Sequence, residues 1–194
     1  INSSVSGLTA TNYNFVTGSN AVLTINKATL TITANNTSKT YGQTLTFAGT
    51  EFATSGLLNS DSVTSVTLTS TGAAATATVA GSPYAITPSV AVGNGLSNYT
   101  IGYSNGTLTV NKATLTVTAN NQSMTYGGTL PTLTETVTGY VNGETSSVIG
   151  GTPTATTSAS STTNAGTAII NSSVSGLTAT NYNFVTGSNA VLTI

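Results

Sequence analysis

Residues 26–34 read NKATLTITA, and residues 111–119 read NKATLTVTA. In both stretches apolar side chains alternate with threonine, so that Leu30, Ile32 and Ala34 lie on one face of an extended chain. This alternation predicts strands with one buried and one solvated face, and threonine suits the solvated face because its branched Cβ favours the extended backbone. No sustained helical period occurs, and residues 141–148 are the one candidate for a short helical turn.

The chain also repeats itself on two scales. Residues 1–25 are identical to residues 170–194, an offset of 169, and the motif NKATL recurs within that distance. Each half carries an early Tyr-Gly pair, at 41–42 and at 126–127. A repeat length of about 85 residues is typical of a small independent domain and is too long for one turn of a solenoid.

These repeats divide the chain into two modules and a leading segment. We predict a first complete β module over residues 26–110, a second over 111–194, and, in residues 1–25, the C-terminal part of a preceding module. The junction at 110–115 contains no proline, no glycine and no run of serines. About three residues should therefore separate the last strand of one module from the first strand of the next. We expect tandem modules to form a fairly stiff rod.

Turn residues separate the alternating runs at short intervals. Asn105-Gly106, for example, is a strong signal for a two-residue hairpin. We expect six or seven short strands in each module. This pattern predicts an all-β fold in which each module is a small, Ig-like β-sandwich. A β-grasp-like sheet is the alternative.

The chain carries very little charge. Charged residues make up 4% of it, and the net charge is −1. Such a chain offers no electrostatic surface for nucleic acid or an anionic membrane, and no apolar run approaches the roughly 20 residues of a membrane-spanning helix. We therefore expect no nucleic-acid partner and no membrane insertion. A surface rich in Thr, Ser, Asn and Gly is typical of an exported bacterial protein, so the expected location is extracellular, at the cell surface.

Two side chains on which many enzymes depend are absent. The chain has no histidine and no cysteine, which removes the most common acid–base group, the thiol nucleophile and the preferred ligands of zinc. Glu135 and Glu144 are a formal carboxylate pair, but two solvated loop residues are the simpler interpretation. Asp61 with Asn59 and Ser60 is a formal calcium site, although calcium needs more closely clustered carboxylates. We expect no enzyme activity, no cofactor and no metal site.

Two kinds of covalent modification have candidate residues. Lys27 and Lys112 follow Asn26 and Asn111, and an internal Lys–Asn isopeptide bond would require such a lysine to be buried. An exposed lysine at a module junction is the simpler interpretation. Asn-x-Ser/Thr glycosylation motifs are also numerous, but in so Asn- and Thr-rich a chain most of them follow from composition.

Among the aromatic residues, Tyr140 is the best candidate for an exposed ligand contact, for example with a glycan. It lies between Gly139 and Val141, next to turn residues. Three other tyrosines fall in phase with apolar neighbours on predicted strands and are expected in the core: Tyr13, Tyr99 and Tyr182.

Several motifs of the second module form a recognisable series. They are NKATLTVTANNQSMTYGGTLPTLT from residue 111, GYVNGE from residue 139, NAGT from residue 164, TNYNF from residue 180 and AVLTI from residue 190. This series resembles the MBG domain of the YGX type. The first module matches at 26–42 and 98–110, while its middle, 47–61, has no clear counterpart of GYVNGE.

Such domains occur as tandem repeats in large bacterial surface proteins, including filamentous-haemagglutinin-like adhesins. The resemblance therefore implies a stalk at the cell surface and carries no catalytic or binding residue. We predict a structural repeat that forms the shaft of an extracellular bacterial adhesin or surface filament and provides reach for adhesion.

Assembly and direct binding are the further possibilities. Neutral, threonine-rich strand edges lack the charges that discourage edge pairing, so self-association into fibres or biofilm could belong to the same role. The alternative function is a set of modules that bind glycan or matrix directly by avidity. The expected partners are neighbouring modules of the same chain, further copies in fibres, and surface glycans.

Overall fold

The computed structural model of the chain describes all 194 residues, and the regular structure is almost entirely β. The strands of the first module are β1 (Ala28–Ala34), β2 (Thr37–Thr40), β3 (Phe52–Ser55), β4 (Ser62–Thr69), β5 (Tyr84–Asn94), β6 (Tyr99–Ser104) and β7 (Gly106–Asn111). Those of the second are β8 (Ala113–Ala119), β9 (Gln122–Ser123), β10 (Glu135–Thr138), β11 (Thr154–Thr157), β12 (Thr167–Ser173), β13 (Tyr182–Thr186) and β14 (Ala190–Thr193).

The helical segments are four 3-10 turns, at Thr71–Ala73, Val79–Gly81, Leu96–Asn98 and Ser146–Val148. The last of these lies within the stretch 141–148 that was the one candidate for a helical turn. No helix in the chain has the length and apolar character needed to cross a membrane.

Each module is a sandwich of two sheets with the same topology. In the first module β3-β1-β6 forms one sheet and β2-β7-β5-β4 the other, and in the second module β10-β8-β13 and β9-β14-β12-β11 repeat that order. Seven strands in two facing sheets confirm the predicted all-β sandwich. The β-grasp-like alternative is not adopted, because the core lies between two sheets rather than on one face of a single sheet.

Two parallel pairings characterise this sandwich. β1 pairs in parallel with β6, from Ala28 opposite Tyr99 onwards, and β2 pairs in parallel with β7, from Thr37 opposite Leu108 onwards. Only two residues separate β1 from β2, and only Asn105 separates β6 from β7. Each of these two segments therefore passes directly from one sheet into the other.

The predicted hairpin at Asn105-Gly106 is wrong for this reason. β6 and β7 lie in different sheets and do not pair with each other. Gly106 stands where the chain changes sheets, and a Cβ there would approach the carbonyl oxygen of Ala34 to 2.5 Å. The glycine is required by the close approach of two crossing segments and not by a tight turn.

The apolar faces of the alternating strands form the core, as predicted. Leu30 and Ile32 of β1 are fully buried, and so are Leu115 and Val117 of β8. In the first module the core residues come from both sheets: Leu30, Ile32, Ala34, Val66, Leu68, Ile86, Tyr99 and Leu108. Burial of each large side chain contributes about 1.5–3 kcal/mol, so the alternation itself accounts for much of the folding free energy.

Residues 1–25 contain no strand, although the identical residues 170–194 contribute to β12, β13 and β14. Ile1 and Ala21 exchange two backbone hydrogen bonds of 2.8 and 3.1 Å, which reproduces the pairing of Ile170 with Ala190. Tyr13 is nevertheless 78% exposed, whereas its counterpart Tyr182 is 1% exposed. The prediction that Tyr13 is buried is therefore wrong, because these residues lack the other strands of a sandwich.

Candidate functional site at the junction of the two modules

The connection between the two modules is a single residue. β7 ends at Asn111 and β8 begins at Ala113, so only Lys112 lies between them, fewer than the three residues expected. The backbone is tied on both sides: the Tyr41 N–H donates to the Asn111 carbonyl at 2.8 Å, and the Ala113 N–H donates to the Asn181 carbonyl at 2.9 Å. These bonds leave the linker little freedom to bend.

A cluster of buried side chains continues across the junction. The first module contributes Tyr41, Ala77 and Val110, and the second contributes Ala113, Leu115 and Tyr182. The rings of Tyr41 and Tyr182 meet edge to face with their centroids 5.6 Å apart, an arrangement that aromatic pairs prefer. The two modules therefore share one hydrophobic core at this point.

Glu144 accepts hydrogen bonds from both tyrosines of this cluster. One carboxylate oxygen receives the hydroxyl of Tyr41 at 2.8 Å, and the other receives the hydroxyl of Tyr182. The Tyr182 oxygen in turn accepts the N–H of Val141 at 3.1 Å. Burial, together with the hydrogen bond to Glu144, raises the pKa of Tyr182 to about 12. Tyr182 therefore remains a proton donor across the physiological range.

Two short loops, one from each module, complete the contact. We call residues 40–43 of the first module its Tyr-Gly loop and residues 141–144 of the second module its Asn turn. Gly42 has a φ of 88°, and a Cβ there would lie 2.6 Å from the Cβ of Val141, so only glycine fits between the loops. The side-chain amide of Asn142 donates to the carbonyl of Ala75 at 3.1 Å, which ties the Asn turn to the first module.

The first module has an Asn turn of its own, at residues 58–61. Asn59 and Ser60 have φ values of 52° and 65°, and the corresponding Asn142 and Gly143 have 55° and 73°. In each turn the fourth N–H returns to the first carbonyl, at 2.9 Å and 3.0 Å respectively. Two consecutive positive φ values with this hydrogen bond define the same turn type in both modules.

A glycine also precedes each Asn turn by two residues. Gly56 and Gly139 both have a φ of 102°, and a Cβ at either position would collide with a backbone carbonyl oxygen, of Thr29 and Thr114 respectively. The expectation that residues 47–61 lack a counterpart of GYVNGE is therefore wrong. GLLNSD at 56–61 is that counterpart, with the same backbone and different side chains.

The family comparison matches each module separately. The sequence model of the MBG domain (YGX type) covers residues 30–109 and residues 115–193, which together are most of the chain. The chain belongs to this family. The resemblance predicted from the motifs is thus confirmed, and the two modules are tandem MBG domains. Comparison with curated proteins and with solved structures gave no match.

Tyr140 lies at the edge of the junction in MBG domain 2. It is half-buried, and its ring meets that of Tyr182 edge to face at 6.4 Å between centroids. Burial raises the pKa of Tyr140. The structure therefore places this residue against the shared core, and its role as a ligand contact stays a prediction.

Three of the four acidic residues, those weighed above as candidate sites, lie in separate places in the two domains. Glu144 lies at the junction, Glu135 begins β10, and Asp61 ends the Asn turn of domain 1, where it accepts the hydroxyl of Tyr99 at 2.9 Å. No three acidic side chains come together as a group that could hold a metal ion.

The buried lysine of the chain is Lys39, which sequence reasoning did not single out. It is 6% exposed, and its ammonium donates to the carbonyls of Gln43 at 2.7 Å and Ala74 at 2.5 Å. Burial lowers the pKa of Lys39. Lys27 and Lys112, the candidates for an isopeptide bond, are both exposed, and the Lys112 ammonium donates to the carbonyl of Ala179 at 2.8 Å.

Proposed function

We propose that these tandem MBG domains form the shaft of an extracellular bacterial adhesin or surface filament and carry a terminal binding region away from the cell. The junction is the observation that carries this proposal, since a one-residue linker is combined with a shared buried core. Domains joined by small polar contacts move relative to each other by default, whereas a hydrophobic interface restricts that motion. Junctions of this kind would preserve the length of a shaft.

The size and charge of the domains support the same role. Each domain of this size contributes roughly 25–40 Å of reach. The chain has three basic and four acidic residues, so there is little Coulomb interaction for salt to screen. The length of such a shaft would depend little on ionic strength.

The strand order also suits the domains to tension applied at their ends. Tension enters at the start of β1 and leaves at the end of β7, and these belong to the two segments that pair in parallel. Parallel strands pulled from opposite ends slide along each other, so their evenly spaced hydrogen bonds are loaded together. An antiparallel hairpin pulled open would instead lose its bonds one at a time.

Small-angle X-ray scattering on the purified chain tests the stiffness that this proposal requires. We expect the profile of a single rod-like particle, unchanged between low and high salt. The variant Tyr41→Ser removes the ring and hydroxyl at the junction and should broaden the distribution of interdomain angles. Tyr126→Ser is the matched control, because Tyr126 occupies the corresponding position in domain 2 and is 60% exposed. A wild-type chain as flexible as the Tyr41→Ser variant would contradict the proposal.

A further inference from the structure

The junction within the chain uses one Tyr-Gly loop and one Asn turn, and each MBG domain contains both. Residues 125–128 are the Tyr-Gly loop of domain 2, and residues 58–61 are the Asn turn of domain 1. Within the chain, the Tyr-Gly loop of domain 1 contacts the Asn turn of domain 2. The other two elements stand at the far ends of the two domains.

The Tyr-Gly loop of domain 2 has the same backbone conformation as the Tyr-Gly loop of domain 1, which contacts the Asn turn of domain 2. Gly127 has a φ of 77° against 88° for Gly42, and each glycine N–H donates to a carbonyl at 3.1 Å, of Ser161 and Ala75 respectively. The environments differ, however. Tyr41 is 5% exposed and Tyr126 is 60% exposed, and a Cβ on Gly127 would meet no atom within 4 Å.

The Asn turn of domain 1 likewise makes the same hydrogen bonds within its own domain as the Asn turn of domain 2. The Tyr99 hydroxyl donates to Asp61 at 2.9 Å and accepts the Leu58 N–H at 2.8 Å, as Tyr182 does with Glu144 and Val141. Leu58 is 55% exposed, whereas Val141 is half-buried beneath Gly42. The Asp61 carboxylate therefore occupies the same position in its turn as Glu144, but Asp61 accepts a hydrogen bond from one tyrosine whereas Glu144 accepts from two.

A pocket lies where that second tyrosine would enter. Its volume is about 400 Å³, and its walls include Lys27, Leu58, Asn59, Asp61, Asn98 and Tyr99. The wall thus combines apolar side chains with a carboxylate, an ammonium and amides. This chemistry matches a tyrosine ring with its hydroxyl, together with the backbone carbonyls beside it.

The identical segments specify which tyrosine this is. Residues 1–25 precede domain 1 directly, and they repeat residues 170–194 of domain 2 down to the pairing of Ile1 with Ala21. By sequence, residues 1–25 take the place of the end of domain 2 in a repeat that continues, so that a further domain 2 would stand directly ahead of domain 1. The Met124 N–H donates to the Thr193 carbonyl at 2.9 Å, which holds the Tyr-Gly loop of that domain beside the end of β14 and hence beside the start of the next domain.

We propose that the pocket of domain 1 binds the Tyr-Gly loop of domain 2 from another copy of this 169-residue repeat, with Tyr126 donating to Asp61. The inference rests on the shaft function proposed above and supplies its second kind of junction. Asn59 then donates to the Ser161 carbonyl as Asn142 does to that of Ala75. Gly127 accommodates Leu58 as Gly42 accommodates Val141.

The test uses a chain in which residues 26–194 follow Ile194 once more, so that both kinds of junction are present. The test pair is Tyr126→Phe in the first period with Asp61→Asn in the second, taken singly and together. The positive control is Tyr41→Phe with Glu144→Gln within one period, where the tyrosine hydroxyl lies 2.8 Å from the carboxylate. The negative control is Tyr126→Phe in the second period with the same Asp61→Asn, since that Tyr-Gly loop has no domain 1 after it in the two-period chain.

We expect the midpoint of urea unfolding to fall by less in the double test variant than the sum of the two single losses, as in the positive control, and by the sum of the single losses in the negative control. Additive losses in the test pair beside a coupled positive control would overturn this inference and leave the shaft proposal standing. Additive losses in the positive control would count against the junction on which both proposals depend. As a second measurement, Tyr126→Ser in the first period should lower the stability of the two-period chain and leave that of the 194-residue chain unchanged.

Discussion

The hydroxyl of Tyr41 donates a 2.8 Å hydrogen bond to Glu144, which lies 103 positions later in the chain and in the other MBG domain. The other oxygen of the same carboxylate accepts Tyr182, whose ring packs against that of Tyr41. One half-buried carboxylate therefore fixes two aromatic side chains from different domains. This group of three residues therefore links the two domains directly.

Removing the Tyr41 hydroxyl and the Glu144 charge should have strongly non-additive effects. We expect a double-mutant cycle of Tyr41→Phe and Glu144→Gln, measured by urea unfolding, to give a coupling energy of about 1.5–3 kcal/mol, as for hydrogen bonds to charged groups. Glu135→Gln is the matched control, because Glu135 makes no side-chain hydrogen bond, and it should change stability by less than about 0.5 kcal/mol. Additive effects of the two junction variants would show that the domains are not coupled through this bond.

Stability should fall at alkaline pH because of Tyr182. An unfolded tyrosine ionises near its ordinary pKa of 10.0, whereas burial and Glu144 raise the pKa of Tyr182 to about 12 in the folded chain. Between these values the unfolded chain loses a proton that the folded chain keeps, so stability is complete below pH 10 and decreases as the pH rises towards 12. The loss over this window should be on the order of 2 kcal/mol.

Unfolding by urea at pH values from about 8 to 11.5 measures this loss, with Tyr182→Phe as the comparison. Part of the slope should remain in the variant, because the pKa values of Tyr99 and Tyr140 are also raised by burial. An identical slope in the wild type and in Tyr182→Phe would contradict the assignment to Tyr182.

Lys39 in domain 1 and Met124 in domain 2 occupy corresponding positions, three residues before the glycine of each Tyr-Gly loop. Lys39 is buried with carbonyl partners and no carboxylate, so we expect Lys39→Met to stabilise domain 1 by about 1 kcal/mol at neutral pH. The reverse change, Met124→Lys, should destabilise domain 2 by about 1–3 kcal/mol.

The pH dependence of the first variant supplies its control. Burial lowers the pKa of Lys39 below its ordinary value of 10.5, so the wild type gains stability as the pH rises through the interval between the two values. The advantage of Lys39→Met should therefore shrink over that interval. A Lys39→Met variant that is destabilised at neutral pH would show that the two carbonyl hydrogen bonds outweigh the cost of burying the charge.

The two domains should differ in mechanical strength when the chain is stretched from its ends. In domain 1, β2 pairs with β7 over Thr37–Thr40, whereas in domain 2 β9 pairs with β14 at Gln122 and Ser123 alone. The shorter parallel pairing offers fewer hydrogen bonds to shear, so domain 2 should unfold at the lower force in single-molecule pulling.

Glycine variants identify which force peak belongs to which domain. Gly56→Ala and Gly139→Ala each put a Cβ against a carbonyl oxygen at a φ of 102°, which should destabilise domain 1 or domain 2 by at least about 2 kcal/mol. The higher peak should therefore be lost in Gly56→Ala and the lower one in Gly139→Ala. The opposite assignment would contradict the shear argument.

The strands and their buried faces could be predicted from the sequence, because period-two alternation is a local property. Leu30, Ile32, Leu115 and Val117 are all in the core as that pattern requires. The sheet that a strand joins is not a local property, and Asn105-Gly106 therefore indicates a hairpin although β6 and β7 lie in different sheets. Gly106 permits a change of sheet, and the same dipeptide permits a tight turn.

The junction could not be predicted from the sequence, although the sequence carries one of its signals. The Tyr-Gly pair repeats visibly, but the partner of Tyr41 lies in another domain, and a single sequence does not show contacts over such distances. The Asn turn of domain 1 is hidden in the sequence because Leu58 and Asp61 replace Val141 and Glu144 on the same backbone. The glycine before each turn, at Gly56 and Gly139, is the signal that the two turns share.

Residues 1–25 should be able to complete an MBG domain that lacks residues 170–194. A chain ending at residue 169 retains β8 to β11 of domain 2 but loses β13, β14 and most of β12. Residues 1–25 of the same chain have the missing sequence, but they precede β1, whereas domain 2 follows β7. The end of β7 lies beside β2 and far from the start of β1, so residues 1–25 and domain 2 stand at opposite ends of domain 1. We therefore expect residues 1–25 to complete domain 2 of a second chain, which gives a head-to-tail association that increases with concentration.

Sedimentation velocity over a range of concentrations measures this association, and a chain of residues 26–169 is the matched control. The control lacks both copies of the 25-residue segment, so its domain 2 should remain unfolded and the chain should sediment as a monomer. Residues 1–25 make backbone hydrogen bonds only among themselves, so their deletion from the 194-residue chain should leave stability unchanged within about 0.5 kcal/mol. If the chain of residues 1–169 also stays monomeric, then identity of sequence does not allow this segment to exchange between domains.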